Sequence, residues 1–164
     1  MAAAGGRAWL VGGCVRDALL GEAVTDFDVE VYRIPEDDLE VLLSALGPVN
    51  AVGKSFGVFK LGADEDIDVS LPRRDSNAGP GHRGIHVEGD PWMTPREAAR
   101  RRDLTVNAIL MDPRTGELLD PWNGRADLDA CLLRPVDRHT FLEDPLRALR
   151  AVQFAARLIF DPAP

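Results

Sequence analysis

The stretch from Leu10 to Val31 constrains the fold of this chain more than any other part of its 164 residues. It runs from an apolar segment into a Gly-Gly pair, through Cys-Val-Arg-Asp-Ala-Leu-Leu-Gly, to Thr-Asp-Phe-Asp-Val-Glu-Val. In the last segment acidic and apolar residues alternate, which places Asp26, Asp28 and Glu30 on one face of a half-buried strand. The order predicts a short strand, a tight turn, a helix and a second strand with acids on one side.

The turn and the acids suit one kind of ligand. Gly12 and Gly13 allow a close backbone approach and aim amide N–H groups from a helix N-terminus, where a phosphate is favoured. Arg16, one turn into the helix, adds a positive charge, and Asp26 and Asp28 can share a divalent cation. Together they indicate a site for a metal-bound triphosphate. Taken separately, the glycines are also consistent with a tight turn and the acids with a solvated strand face.

Composition limits the alternatives. The chain is long enough for one sizeable core and the start of a second domain, and 45% apolar with 28% charged residues is ordinary for a globular protein. It has no apolar run of about 18 residues and no signal-peptide pattern, so we expect a cytoplasmic protein. Two distant cysteines predict reduced thiols and no zinc site. The net charge of −8 argues against broad nucleic-acid binding, although arginines cluster near residues 96–102 and 147–157.

The rest of the chain predicts a mixed α/β domain. Leucines at helical spacing predict a helix over 35–46, and Thr94, Pro95 and Glu97 predict a capping box at the start of a helix that extends to 109. Residues 72–94 are rich in Gly, Pro and charged residues and predict a long loop. Other short elements are predicted as strands at 48–52, 57–61, 66–71, 110–111, 118–119 and 132–136 and as helices at 125–130 and 143–160.

Three motifs resemble one family. Gly-Gly-x-Val-Arg-Asp-x-Leu-Leu-Gly followed by Asp-x-Asp is similar to the head domain of bacterial class II tRNA nucleotidyltransferases (CCA-adding enzymes) and the related poly(A) polymerases. Arg-Arg-Asp-Leu-Thr-Val-Asn-Ala at 101–108 and Glu-Asp-Pro-Leu-Arg-Ala-Leu-Arg-Ala-Val at 143–152 strengthen the resemblance. It implies an α/β (α+β) fold of the polymerase-beta-like class, in which helices flank a mixed sheet. Residues 1–140 would form the catalytic head and residues 141–164 the first helix of a neck.

The resemblance also implies roles for single residues. Asp26 and Asp28 would hold Mg²⁺, and an acid on a neighbouring strand would accept the proton of an attacking hydroxyl. Asp68 is the candidate for that acid, although the residues around it also fit a polar strand face. Further nucleotide contacts are implied at Arg102, Asp103 and Asn107, in addition to Gly12, Gly13 and Arg16.

The last predicted helix suggests how a base is chosen. At roughly 100° per residue, Asp144, Arg147 and Arg150 fall within an arc of about 120°. The opposite face is predicted to pack through Leu146, Leu149, Val152, Ala156 and Ile159.

The charged pair can read a base edge. A carboxylate can accept from the amino group of cytosine or adenine while a guanidinium donates to the adjacent ring nitrogen, whereas uracil and guanine place a carbonyl against the acid. The family's matching Asp and Arg act in this way, and the alternative is a surface ion pair between Asp144 and Arg147. Gln153 stands where the family frequently has Arg, which predicts a weaker phosphate contact there.

The resemblance implies addition of C and A from CTP and ATP to the 3′ end of tRNA. CC-only, A-only and poly(A)-adding enzymes share these motifs and stay open. A nucleotide-binding module without turnover also stays open, because the family's further neck, body and tail regions are absent from these 164 residues.

Overall fold

A computed structural model describes residues 1–50, 57–62, 67–77 and 85–163, without the side chains of 75–77 and 85–87. The strands are β1 (Arg7–Val11), β2 (Phe27–Tyr32), β3 (Val49–Asn50), β4 (Val58–Leu61), β5 (Ile67–Ser70), β6 (Arg73–Asn77), β7 (Ile85–Gly89), β8 (Leu110–Met111), β9 (Leu118–Leu119), β10 (Leu132–Leu133) and β11 (Asp161–Pro162). The helices are α1 (Gly13–Leu20), α2 (Glu36–Ser44), α3 (Pro95–Arg100), α4 (Gly124–Asp129), α5 (Arg138–Glu143) and α6 (Pro145–Leu158).

A mixed sheet organises the described part of the chain. Its seven strands lie in the order β3-β4-β5-β2-β1-β8-β9. β2 and β5 pair in parallel, whereas the other neighbours pair antiparallel. Two smaller sheets pair β6 with β7 and β10 with β11. The predicted mixed sheet with flanking helices is confirmed, and the predicted strand ends at 51–52 and 66 lie outside the described residues.

The two faces of the sheet are covered differently. Val31 of β2 packs on one face with Leu39 and Leu43 of α2, as the leucine spacing predicts. On the other face Trp9 of β1 and Tyr32 of β2 pack near Ala98 and Ala99 of α3, together with residues of β8. This second face also carries Asp28 and Glu30, because side chains two residues apart share a face of a strand.

The predicted loop over 72–94 is wrong for two of its segments. β6 and β7 form an antiparallel pair, with Arg73 opposite Gly89 and Asn77 opposite Ile85. The centre of the predicted loop, residues 78–84, lies outside the described residues. The first strand, Arg-Arg-Asp-Ser-Asn, has no apolar residue, whereas the second, Ile-His-Val-Glu-Gly, alternates Ile85 and Val87 with polar residues. The period of two that indicates a strand is therefore present only in β7, over a stretch too short to outweigh the Gly-rich and Pro-rich surroundings.

The helix predicted to run to residue 109 ends much earlier. Its capping box is confirmed, since Thr94 Oγ1 accepts from Glu97 N and Glu97 Oε2 accepts from Thr94 N at 2.9 Å. However, α3 ends at Arg100, and the chain forms a separate 3₁₀ turn over Thr105–Asn107. The Asp103 carboxylate accepts from Leu104 N at 2.8 Å, and such a side-chain bond competes with continuation of a helix.

The last helix packs with a different face from the one predicted. α6 contacts the core through Phe154, Ala155 and Leu158. The face predicted to pack is exposed instead, with Leu149 at 68% and Val152 at 70% of their full exposure. The helix begins after Asp144, which caps it through a bond from Leu146 N at 3.0 Å. Among the described residues, no helix has the length and apolarity needed to cross a membrane.

Candidate active site

A cleft of about 530 Å³ lies between the glycine turn, the segment after α3 and the start of α6. Most of the site residues predicted from the sequence line it, namely Gly12, Gly13, Arg16, Asp28, Arg102, Asp103, Asn107, Asp144, Arg147 and Arg150. Asp26 and Asp68 are not part of its lining. The structure thus gathers residues from three separate motifs into one concave site.

The glycine turn lies directly against the acidic strand. Gly12 has φ 76° and ψ −139°, a conformation that residues with a side chain rarely adopt. A Cβ on Gly12 would stand 3.1 Å from Arg102 Nη1 and 3.2 Å from Asp28 Oδ2. Gly13 opens α1 and has no such close neighbour. The predicted juxtaposition of the turn and Asp28 is therefore present.

The three predicted acids lie on neighbouring elements. Asp28 stands opposite Asp68 in the parallel pairing of β2 and β5, so the two side chains share a face of the sheet. Asp26 lies just before β2 and is exposed. Asp68 is also engaged by Lys60, whose Nζ is 3.0 Å from Asp68 Oδ1. No cluster of three or more acidic, His or Cys side chains suited to a metal ion occurs among the described residues.

The electrostatics of Asp28 are unusual for a surface acid. Water reaches Asp28 at the mouth of the cleft, but the protein around its carboxyl group raises its pKa by desolvation. The positive Arg102 acts against this, and the negative Asp68, Glu30 and Asp26 add to the rise in pKa. The local environment therefore favours a compensating positive charge beside Asp28.

Glu30 is an important residue that the sequence did not single out. It is only 1% exposed, and its carboxylate accepts from Arg102 Nη2 at 3.0 Å, Arg101 Nη2 at 3.5 Å and Tyr32 Oη at 2.8 Å. Burial alone would raise the pKa of Glu30, but the charges of Arg102 and Arg101 outweigh it and lower the pKa. In the sequence, Glu30 is marked only by the alternation of acidic and apolar residues that it shares with Asp28. That pattern is also consistent with a solvated strand face, whereas Glu30 is buried.

A polar network connects α1 to α6 along the cleft. Arg16 is 2% exposed and donates to Asn107 Oδ1 at 2.6 Å. Asn107 Nδ2 donates to Asp103 at 2.9 Å, and Arg150 Nε donates to the other oxygen of Asp103 at 2.8 Å. Burial would raise the pKa of Asp103, but the hydrogen bonds from Asn107 and Arg150 outweigh it and lower the pKa. Arg16 also donates to Asp17, so these residues form the structured wall of the cleft.

Asp144 and Arg147 both line the cleft, at the start of α6. Arg147 Nη2 donates to the carbonyl of Arg101 at 2.8 Å. Arg147 Nη1 is buried and has no hydrogen-bond partner among the described residues. A buried guanidinium N–H without an acceptor costs free energy, so Arg147 Nη1 is well suited to donate to an acceptor atom of a ligand.

Other lining residues carry no clear sequence signal. Phe154 lies between two arginines, with its ring centroid 4.9 Å from Arg16 Cζ and 5.5 Å from Arg150 Cζ. Arg157 pairs with Asp17 at 3.2 Å. Helical spacing alone does not show that Phe154 supports cleft residues, because an apolar residue on a helix usually belongs to the core.

The mixed sheet places the glycine turn that opens α1 beside the acids on the adjoining strands. The family model described as Poly A polymerase head domain matches residues 8–134, and the chain belongs to this family. The predicted family and fold are thus confirmed.

Curated relatives point to the same group. A multifunctional CCA protein of Xanthomonas oryzae pv. oryzae is 45% identical over 152 residues, which are 93% of this chain and 35% of that protein. Another, of Nitrosococcus oceani, is 43% identical over 156 residues, or 95% of this chain and 36% of that protein. The chain therefore spans only about a third of the length of these relatives.

Solved structures share the fold. The Bacillus stearothermophilus CCA-adding enzyme in complex with CTP matches with a TM-score of 0.76 and 32% identity, over 98% of this chain and 37% of that one. A tRNA nucleotidyltransferase complexed with a primer tRNA and an incoming ATP analog matches with a TM-score of 0.75 and 30% identity, over 97% of this chain and 44% of that one.

Proposed function

We propose that this chain is the catalytic head of a template-independent RNA nucleotidyltransferase that adds C, A or both from CTP and ATP to the 3′ end of tRNA. The proposal depends on the observation that one cleft is lined both by the Gly12 turn with Asp28 and by Asp144 with Arg147. The Gly12 turn and Asp28 suit a metal-bound triphosphate, and Asp144 and Arg147 suit the edge of a base. A relative that matches nearly all of this chain is named multifunctional CCA protein, and a solved structure that matches it is that of a CCA-adding enzyme in complex with CTP.

The acids fit a magnesium ion. Mg²⁺ is usually held by one or two carboxylates together with substrate phosphates, and nucleotidyltransferases of this class are generally metal-dependent. Asp28 would be one ligand and Asp26 the second, which agrees with the accumulation of negative charge that raises the pKa of Asp28. When bound, Mg²⁺ supplies Lewis-acid stabilisation of the charge that develops on the transferred phosphoryl group.

The residues of the chain supply the remaining roles. The amide groups of the Gly12 and Gly13 turn would bind the triphosphate at the N-terminus of α1. Asp68, in register with Asp28, would accept the proton of the attacking 3′-hydroxyl. Arg102 would brace the nucleotide, and the network through Asp103 would fix the wall against which it lies.

Base choice would depend on the start of α6. The unpartnered Nη1 of Arg147 would donate to the ring nitrogen of cytosine or adenine, and the Asp144 carboxylate would accept from the exocyclic amino group. Asp144 already caps α6, which fixes its position relative to Arg147. Uracil and guanine would leave both groups badly paired, so the protein itself could select C and A without a template.

We also propose a division of the chain into a head at 1–140 and the first neck helix at 141–164. The end of the family match at residue 134 and the separate helix α6 support this boundary. A tRNA substrate would place the protein in the cytoplasm.

Incubation with Mg²⁺, a tRNA that lacks its 3′ end and each labelled nucleotide in turn tests the proposal. Incorporation of CTP followed by ATP supports CCA addition, whereas CTP alone or ATP alone indicates CC-only addition or an A-adding enzyme, including a poly(A) polymerase. Nucleotide binding without incorporation supports a binding module. Asp28→Ala should abolish incorporation while thermal unfolding shows a folded protein. Undiminished incorporation by this variant would refute the metal assignment.

A further inference from the structure

We infer that Glu30 is a positioning residue that holds Arg102 away from Asp28 and so keeps Asp28 available for a cation. The inference deepens the proposed function and rests on it for the identity of that cation. It stands on the placement of three charged groups around the glycine turn.

Glu30 binds Arg102 in a place that water barely reaches, since the side chains of Glu30 and Arg102 are 2% and 17% exposed. The carboxylate lies on the same face of β2 as Asp28 and stands opposite Trp9 of β1. Its Oε1 accepts from both arginines, and its Oε2 accepts from Tyr32. Because a buried carboxylate needs compensating charge, Glu30 holds Arg102 firmly through Nη2.

The other end of the same guanidinium faces Asp28. Arg102 Nη1 and Asp28 Oδ2 lie 3.1 and 3.2 Å from the same point, where a Cβ on Gly12 would stand. Asp28 nevertheless forms no ion pair with Arg102, and both residues lie within the described chain. A small movement of the guanidinium would bring the two charges into contact. Glu30 therefore competes with Asp28 for Arg102.

Loss of the Glu30 charge should reverse that competition. With Gln at position 30, Arg102 loses the charged partner of its Nη2, while its Nη1 still faces Asp28 across Gly12. A new ion pair with Asp28 would occupy the carboxylate that the cation needs. A metal ion could bind Asp28 only after this ion pair had broken. An arginine in contact with a carboxylate stabilises the carboxylate by a factor of roughly ten or more, so the metal ion should bind about tenfold more weakly or worse.

The test measures Mn²⁺ affinity of the nucleotide-free protein by electron paramagnetic resonance, with thermal unfolding to show that each variant is folded. Glu30→Gln should weaken Mn²⁺ binding about tenfold or more. Adding Arg102→Met should restore it, because the competing cation is gone. Adding Arg101→Met instead gives the same net charge in the same neighbourhood but leaves Arg102 able to reach Asp28, so binding should stay weak.

Equal restoration by the two double variants would show that only net charge matters and would overturn the inference. Should Glu30→Gln fail to fold, Glu30→Asp keeps the charge but shortens its reach, and it should weaken Mn²⁺ binding in the same direction. Unchanged affinity there also contradicts the inference. If the wild type binds no Mn²⁺, the proposed metal site fails. A crystal structure of Glu30→Gln would then still test the inference, because an Arg102 guanidinium that stays away from Asp28 refutes it.

Discussion

Replacement of Gly12 by Ala should damage both the fold and the site. The backbone at residue 12 has φ 76° and ψ −139°, and holding a residue with a side chain in such a sparsely populated conformation costs of order 1–3 kcal/mol. The new Cβ would also stand 3.1 Å from Arg102 Nη1 and 3.2 Å from Asp28 Oδ2, so both side chains must shift by a few tenths of an ångström. We expect a loss of about 2 kcal/mol, or a melting temperature lower by about 4–8 °C, measured by calorimetry.

Gly13→Ala is the matched control. Its Cβ would meet Arg16 Nη2 at 3.5 Å, an ordinary contact, and Gly13 opens a helix in which Ala is preferred. Its stability should stay within about 1 kcal/mol of the wild type. Equal destabilisation by the two substitutions would refute the assignment of strain to Gly12.

Two further variants test the electrostatics. Asp28→Asn should stabilise the metal-free protein at neutral pH by less than about 1 kcal/mol, because water reaches this carboxyl group. Because the pKa of Asp28 is raised in the folded state, the stability gain of Asp28→Asn should vanish below pH 3.8, the ordinary pKa of an Asp. Below that pH, Asp28 is protonated in both the folded and the unfolded protein. Asp103→Asn should destabilise by about 2 kcal/mol, because it removes the charged acceptor of Arg150. Because the pKa of Asp103 is lowered in the folded state, the full loss of stability in Asp103→Asn should appear above pH 3.8. The stability difference between wild type and variant should shrink as the pH falls, which denaturant titration at several pH values measures.

The sequence was most informative where a local pattern determines local geometry. Alternation placed Asp28 on one face of β2, and the Gly-Gly pair marked the turn that faces it. The capping box at Thr94 marked the start of α3 correctly. These features depend on neighbouring residues alone, so they are visible without knowledge of the rest of the fold.

The misjudged features depend on distant parts of the chain. Glu30 has the same pattern as Asp28, and only the arrival of Arg101 and Arg102 from a later segment makes its burial possible. On α6 the longest apolar stripe faces outward, since Phe154 and Leu158 on another side meet the core formed by Leu104 and its neighbours. Helical periodicity finds a stripe but does not say which side the rest of the described chain covers.

Nucleotide selectivity of the cleft is the most direct test of the central claim. Titration calorimetry of the purified chain with CTP, ATP, UTP and GTP, in the presence of Mg²⁺, should show binding of CTP and ATP and at least about tenfold weaker binding of UTP and GTP, since the latter leave buried polar groups unpaired. Arg147→Ala should reduce this difference while the protein stays folded. Equal binding of all four nucleotides by the wild type would contradict the assignment of Asp144 and Arg147 as the base-reading pair.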